Sequence, residues 1–321
     1  MGSVKDLKVI EEPKEDKEGV GVFEFSDRYS IFDYGEMPDE IEGKGEALCL
    51  MGAYNFKELE KDGTKTHFIE LEDRDKMKVK MVNVITEGLP EDPKNMMVPL
   101  EIIYRNYLGE GSSVFRRLDK GKIEPEDLGL ESYPEVNEKL DPPIIDFSTK
   151  YEKFDRYFKN LEEVRDHTGF KQNRIDHIKE KALEINDFIN QRAKELGWKH
   201  LDGKMETALD RNGELMLADV LGTLDEDRFE YKGVKLSKEM LRRYYRETEW
   251  SEKIEEAKDN DLPKEDWPEP PELPKRLIDF VSDMYKAACN AWTGEDHFDV
   301  KDLDELIKND YKELEKKGLI K

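Results

Sequence analysis

The chain has 321 residues, with 53 lysines and arginines against 77 aspartates and glutamates, so its formal net charge is −24. A surface this acidic excludes general binding to phosphate backbones and to anionic membrane leaflets, both of which need clustered cations. The chain is 36 % hydrophobic and 10 % aromatic, a composition that excludes full disorder and describes a folded protein in an acidic shell.

The length suits one large domain or two ordinary ones. The charge surplus suits a salt-rich cytoplasm, where self-repulsion is screened. Cys49 and Cys289 form neither a disulfide framework nor a Cys-x-x-Cys pair. No apolar run approaches the ~18 residues that span a bilayer, and Met1 to Asp6 lacks the apolar core of a signal peptide. These features predict a soluble, cytoplasmic protein without nucleic-acid or membrane partners.

In chain order, Val20 to Phe25 alternates as a half-buried strand does, after a charged tip from Glu11 to Glu18. Ala47 to Leu59 has helical spacing, with Leu48, Met51, Phe56 and Leu59 on one face. Lys78 to Ile85 alternates again, and Val98 to Tyr104 reads as a central strand. Ile175 to Leu196 predicts a strong helix closed by Gly197. Lys204 to Leu209 and Glu214 to Val220 predict a hairpin across Asn212-Gly213. Five prolines between Asp259 and Pro274 mark an irregular connector. Helices follow from about Lys275 to Trp292 and from Asp299 to Lys317, the latter expected on the surface or at an oligomer contact. The pattern is α+β, strand-rich first and helical last.

Two clusters carry chemistry. Arg105, Arg116 and Arg117 flank Gly109-Glu110-Gly111-Ser112-Ser113, a loop whose backbone can approach an anion while arginine forks grip phosphate or carboxylate. The same residues also fit a surface loop with ordinary ion pairs. In the second cluster, alternation puts Lys204 and Glu206 on one strand face, and the hairpin brings Asp219 to the neighbouring strand. Two carboxylates and a lysine suit a magnesium–nucleotide site, though a solvent-facing strand pair would look alike. His67, His167, His177, His200 and His297 show no zinc-ligand spacing. There is no nucleophile elbow and no evident nucleophilic cysteine. Chemistry here would run by electrostatic positioning.

The order of further segments resembles the SAICAR synthetase family of purine biosynthesis, in the longer archaeal form seen in halophiles. The segments are Ser26-Asp27-Arg28-Tyr29-Ser30-Ile31-Phe32-Asp33, Ile41-Glu42-Gly43-Lys44-Gly45, Val98-Pro99-Leu100-Glu101 through Arg105 with Gly111-Ser112, Phe147-Ser148-Thr149-Lys150 with Asp155, Lys204-Met205-Glu206, Asp219 through Arg228-Phe229, and Ser237-Lys238 with Arg242. They cover roughly residues 1 to 295. The resemblance implies an N-terminal antiparallel-sheet lobe packed on an ATP-grasp-like α+β lobe with C-terminal helices. The expected boundaries are 1–98, 99–250 and 251–321, the last a helical segment with an acidic tail.

The implied activity is an ATP-dependent ligase that joins L-aspartate to the carboxylate of carboxyaminoimidazole ribonucleotide (CAIR) through an acyl phosphate, giving SAICAR, ADP and phosphate. The implied cofactors are ATP and Mg2+, and a homo-oligomer is compatible with the family. The resemblance places Lys5, Lys204, Glu206 and Asp219 in the ATP region, with Glu206 and Asp219 on the metal. It assigns Arg105, Ser112, Arg228 and Arg242 to the ribonucleotide, and Ser30 and Asp33 to the aspartate and nucleotide substrates. Lys150, Asp155, Lys204 and Arg228 are the expected catalytic residues. The chain departs from the family pattern at Ser3, where a lysine belongs, at Val220, where a glutamate belongs, and at Leu224, where a proline belongs. Those departures leave open a relative that binds nucleotide without ligation, or another carboxylate–amine ligase. Residues 120–141 and the tail after Glu295 have no counterpart in the short form of the family.

Overall fold

The computed structural model describes residues 4–32, 34–86, 88–152, 156–260 and 262–320. β1 (Lys5–Glu11) and β2 (Gly19–Phe25) form a hairpin whose charged tip is residues 12–18. With β3 (Phe68–Asp73) and β4 (Lys76–Met81) they make a four-stranded antiparallel sheet ordered β1-β2-β4-β3. Helix α1 (Lys44–Lys61) packs on this sheet. Its first turn is held by Asp27, whose carboxylate accepts hydrogen bonds from the backbone N–H of Gly43 at 3.1 Å and Gly45 at 2.9 Å. That approach requires a glycine, because a Cβ on Gly45 would lie 2.9 Å from the backbone carbon of Ser26.

The second sheet is built on β7 (Lys199–Leu209) and β5 (Met96–Tyr107), with strand order β10-β9-β7-β5-β6 and β8 paired to β7. Its other members are β6 (Lys139–Thr149), β8 (Leu215–Ala218), β9 (Asp227–Tyr231) and β10 (Val234–Leu236). The Asn-Gly hairpin joins β7 and β8 as its turn chemistry requires, with Gly213 at φ +78°. One edge of β7 is shared. It pairs with β9 up to Gly203 and with β8 from Glu206 onward. Lys204 and Glu206 therefore lie where one neighbouring strand hands over to another, and residues 219–226 fill that gap.

Helix α4 (Gln172–Glu195) covers one face of this sheet with a stripe of Ile175, Ile178, Ala182, Ile185, Ile189 and Ala193, all buried. Two short helices, α2 (Ser113–Asp119) and α3 (Leu161–Thr168), precede it, and α5 (Glu239–Arg246) and α6 (Glu249–Asp259) follow β10. Helix α7 (Lys275–Thr293) lies against α1. The two sheets are stitched together by single bridges, Thr66 to Leu217 and Asn83 to Met96.

The tail differs from the expected single surface helix. It runs Leu303–Glu305, then a π-helical turn Leu306–Tyr311, then Lys312–Lys316. Leu303, Leu306, Ile307, Leu314 and Ile320 are buried in the main core. The wider π turn seats the adjacent Leu306 and Ile307 together against α7. Among the described residues no helix is long and apolar enough to cross a membrane.

Candidate active site

The site grows from alternation in β7. Residues 202, 204 and 206 share one face, and the register opposes them to Arg105, Ile103 and Glu101 of β5. On β6, Asp146 and Ser148 continue the same face beside Ile103 and Glu101. The opposite face, with Ile102, Tyr104, Phe147 and Met205, belongs to the buried core. One face of the sheet is thus apolar against α4, and the other is a polar floor.

At one end of that floor lie arginines. Arg105 is buried, with Nη2 donating to Asp146 at 3.1 Å and to Ser113 Oγ at 3.1 Å, and Nη1 lying 3.8 Å from Asp202 Oδ2. Arg117 Nη1 meets the same Asp146 oxygen at 2.5 Å. From β9, Arg228 forks onto Asp202, its Nε donating at 2.6 Å. Burial disfavours the charge on Arg105, but Asp146 and Asp202 overcome it and hold the guanidinium firmly protonated. Its Nε is buried without a hydrogen-bond partner among the described residues. Ser112 caps α2 by accepting from Val114 N at 3.3 Å, and its Oγ is 3.5 Å from Arg105 Nη1.

At the other end lie lysines and carboxylates. Lys150 pairs with Glu206, and Lys5, arriving from β1 of the first sheet, pairs with Asp219. Lys204 Nζ donates to Glu101 at 2.8 Å and lies 3.4 Å from Glu226. Glu226 first, and Glu101 next, hold the Lys204 ammonium well above its usual range against the cost of burial. Burial and then the Asp219 charge push the Glu206 carboxyl up to about 8, while Lys150 and Lys204 oppose the rise. Burial would raise Asp219 too, but Lys5, Lys150 and Lys204 keep it far below the usual carboxylate range. Asp219 takes a left-handed backbone, φ +59°.

A third charged group lies near Arg242. Lys44, fully buried, lies 3.0 Å from Asp225 Oδ2 and donates to the carbonyl of Arg28 at 3.1 Å. Tyr285 donates to Asp225 Oδ1 at 2.7 Å. Arg242 donates to Glu239 at 3.2 Å, and the Glu239 charge reaches both Arg242 and Arg228.

The structure therefore gathers Lys5, Lys150, Lys204, Glu206 and Asp219 in one cluster and Arg105, Ser112 and Arg228 in a second, with Arg242 adjoining through Glu239. Ser30 is half-buried between buried Tyr29 and Ile31. Asp33, Asp155 and Ser3 lie outside the described residues. The sequence reading missed Asp146 and Asp202 as arginine anchors, and Lys44 with Asp225. Asp202 could have been found by extending the alternation of Lys204 and Glu206 back one step.

Among the described residues no three His, Cys, Asp or Glu side chains gather as a ligand set. Glu206 and Asp219 do form a close pair, each faced by a lysine. Mg2+ that shares its shell with substrate phosphates needs only one or two carboxylates, so this pair fits it.

Fold and charge pattern together set an arginine cluster and a lysine–carboxylate cluster on one face of the second sheet. The sequence profile of the SAICAR synthetase family matches residues 2–257. A relative from Archaeoglobus fulgidus is 42 % identical over 96 % of this chain and 98 % of its own length. The phosphoribosylaminoimidazole-succinocarboxamide synthase of Thermoplasma acidophilum is 37 % identical over 85 % of this chain and 93 % of its own. Among solved structures, a SAICAR synthetase in complex with ADP superimposes with a TM-score of 0.60 at 24 % identity, covering 85 % of this chain and 99 % of the other. The Saccharomyces cerevisiae SAICAR synthase, complexed with SAICAR, gives 0.64 at 22 % identity, covering 92 % and 94 %. The chain belongs to the SAICAR synthetase family.

Proposed function

We propose that this enzyme is the ATP-dependent ligase of de novo purine biosynthesis that joins L-aspartate to the carboxylate of CAIR. The observation that carries the reading is the polar floor of the second sheet, where a cationic pocket built on Asp202 and a lysine–carboxylate cluster built on Glu206 share one strand face. Four residues of strand separate them by about 13 Å, the length scale of a nucleoside monophosphate. Family membership over most of the chain supports the same reaction.

In this reading the ribonucleotide phosphate rests on Arg105, Arg228, Ser112 and Arg242. The unpartnered Nε of Arg105 supplies a donor already aimed and desolvated. Its imidazole carboxylate then reaches toward Lys150 and Lys204, which hold the phosphates of ATP. Lys5 meets the nucleotide from the first sheet, and Ser30 and Asp33 serve the aspartate side. Mg2+ would be held by Glu206 and Asp219, and when bound it offsets charge on the β- and γ-phosphates.

A carboxylate oxygen of CAIR attacks the γ-phosphorus, and the bond to the β-phosphate oxygen breaks to release ADP. The resulting acyl phosphate is attacked by the neutral amine of aspartate. Phosphate leaves, and the amine gives up one proton, for which Asp155 is the proposed acceptor. Lys150, Lys204 and Arg228 act by charge and position, with no protein nucleophile. The departures at Ser3 and Val220 are compensated in this reading by Lys5 on Asp219 and by Glu226 beside Lys204.

A coupled ADP-release assay tests the proposal. Release that requires CAIR and aspartate together is expected, and binding without turnover would overturn it. Arg228→Ala should raise the KM for CAIR about 10- to 100-fold, the worth of a charge-assisted hydrogen bond, with the KM for ATP little changed. Unchanged kinetics would remove Arg228 from the site.

A further inference from the structure

We propose that His67 is a positioning residue for Asp219, holding that carboxylate in the conformation that serves the magnesium–nucleotide site. The inference rests on the reading of Asp219 given above and extends it to a residue of the other sheet.

His67 sits one residue before β3 and is 4 % exposed. Its Nε2 lies 2.9 Å from the backbone carbonyl oxygen of Asp219. A carbonyl only accepts, so Nε2 carries the proton and donates it. The ring is wedged against Phe23 and Phe56, with centroids 5.7 and 5.4 Å away, which fixes its direction. The main chain around it is fixed too. His67 N donates to Leu217 O at 2.9 Å, Leu217 N donates to Lys65 O at 2.9 Å, and Lys80 N donates to His67 O at 2.7 Å. Residues 65–67 are thus bridged in parallel to β8 at Leu217, two residues before Asp219.

Asp219 needs such a hold. Its φ of +59° is a left-handed conformation that non-glycine residues rarely adopt without outside support. Returning φ to the ordinary region would swing the carboxylate away from Lys5 and Glu206. The His67 hydrogen bond ties down the carbonyl that such a swing would rotate. The first sheet therefore grips Asp219 twice, at its carboxylate through Lys5 and at its backbone through His67.

The test compares His67→Phe, which keeps a ring but loses the donor, with His67→Gln, whose side-chain amide can donate from nearly the Nε2 position. ADP affinity is measured by titration calorimetry with and without Mg2+, alongside the KM values for ATP and CAIR and the melting temperature. His67→Phe should weaken ADP binding in Mg2+ about tenfold, the scale of one buried hydrogen bond. Binding without Mg2+ and the KM for CAIR should stay within about twofold. His67→Gln should recover most of the loss.

Asp219→Asn separates the two readings. If it keeps full Mg2+-dependent affinity, the role of Asp219 is wrong. If it loses that affinity while His67→Phe keeps it, the role of His67 is wrong. Should His67→Phe fail to fold, His67→Asn, whose amide is too short to reach, takes its place. Equal Mg2+-dependent affinity in the Asn and Gln variants would overturn the proposal, because a role in packing alone distinguishes neither.

Discussion

Asp225 shows how a single residue can be visible in the sequence while its role is not. It stands in an acidic run, Asp225-Glu226-Asp227, inside the segment from Asp219 to Arg228 that carries the family resemblance. In the fold it is buried against Lys44 and Tyr285. Burial would raise its carboxyl, but Lys238 and Lys44 outweigh that and hold it far below the usual 3.8. A native value below the unfolded one means stability that is present above pH 3.8 and lost as pH falls toward the native value. Asp225→Asn leaves buried Lys44 without its counter-charge and removes the main one from Lys238, and should cost about 3–5 kcal/mol at pH 7. The difference from the parent protein should narrow as pH drops below about 4. Urea unfolding at pH 7, 5 and 3.5 checks both statements, and a pH-independent difference would contradict the pairing. Gly43-Lys44-Gly45 was equally legible as a motif, yet nothing local reveals that Lys44 faces inward. Pairings between residues so far apart in sequence are set by the fold and leave no periodicity to read.

At the level of elements, the local signals carried most of the architecture. Alternation marked β2, β4 and β7, the Asn-Gly turn marked β7–β8, and the apolar stripe marked α4. The handover on β7 from β9 to β8 was not legible, because strand-neighbour choice depends on tertiary packing. The tail is the helical surface segment its pattern predicts; what the pattern did not show is the π turn and the seating of its apolar residues on α7. The tail end, Gly318 to Ile320, also lines a cavity of about 910 Å³ shared with Gly111, Arg228 and Ser237. The start of α1 offers a test at this scale. Asp27 satisfies two N–H groups of its first turn, so Asp27→Ala should cost about 1–2 kcal/mol. Chemical denaturation measures it, and a cost below a few tenths would show that water caps the helix equally well.

For the whole molecule, the charge of −24 and the cationic clusters pull in opposite directions with salt. Raising ionic strength from 0.1 to 1 M shortens the Debye length from about 10 to 3 Å, which relieves self-repulsion. The melting temperature should rise over that range while the KM values for ATP and CAIR rise as well, since screening also weakens the pull on anionic substrates. Calorimetry and initial rates across a potassium chloride series read both trends, and a falling melting temperature would mean that surface ion pairs outweigh repulsion. The Lys5–Asp219 pair has a further consequence for biosynthesis on the ribosome. Lys5 emerges early, on an edge strand that also exposes Leu7, Val9 and Ile10. Its partner Asp219 follows 214 residues later. At translation rates of about 5–20 residues per second, Lys5 waits on the order of 10–40 s for Asp219. The Lys5–Asp219 contact therefore cannot form until most of the chain has been made.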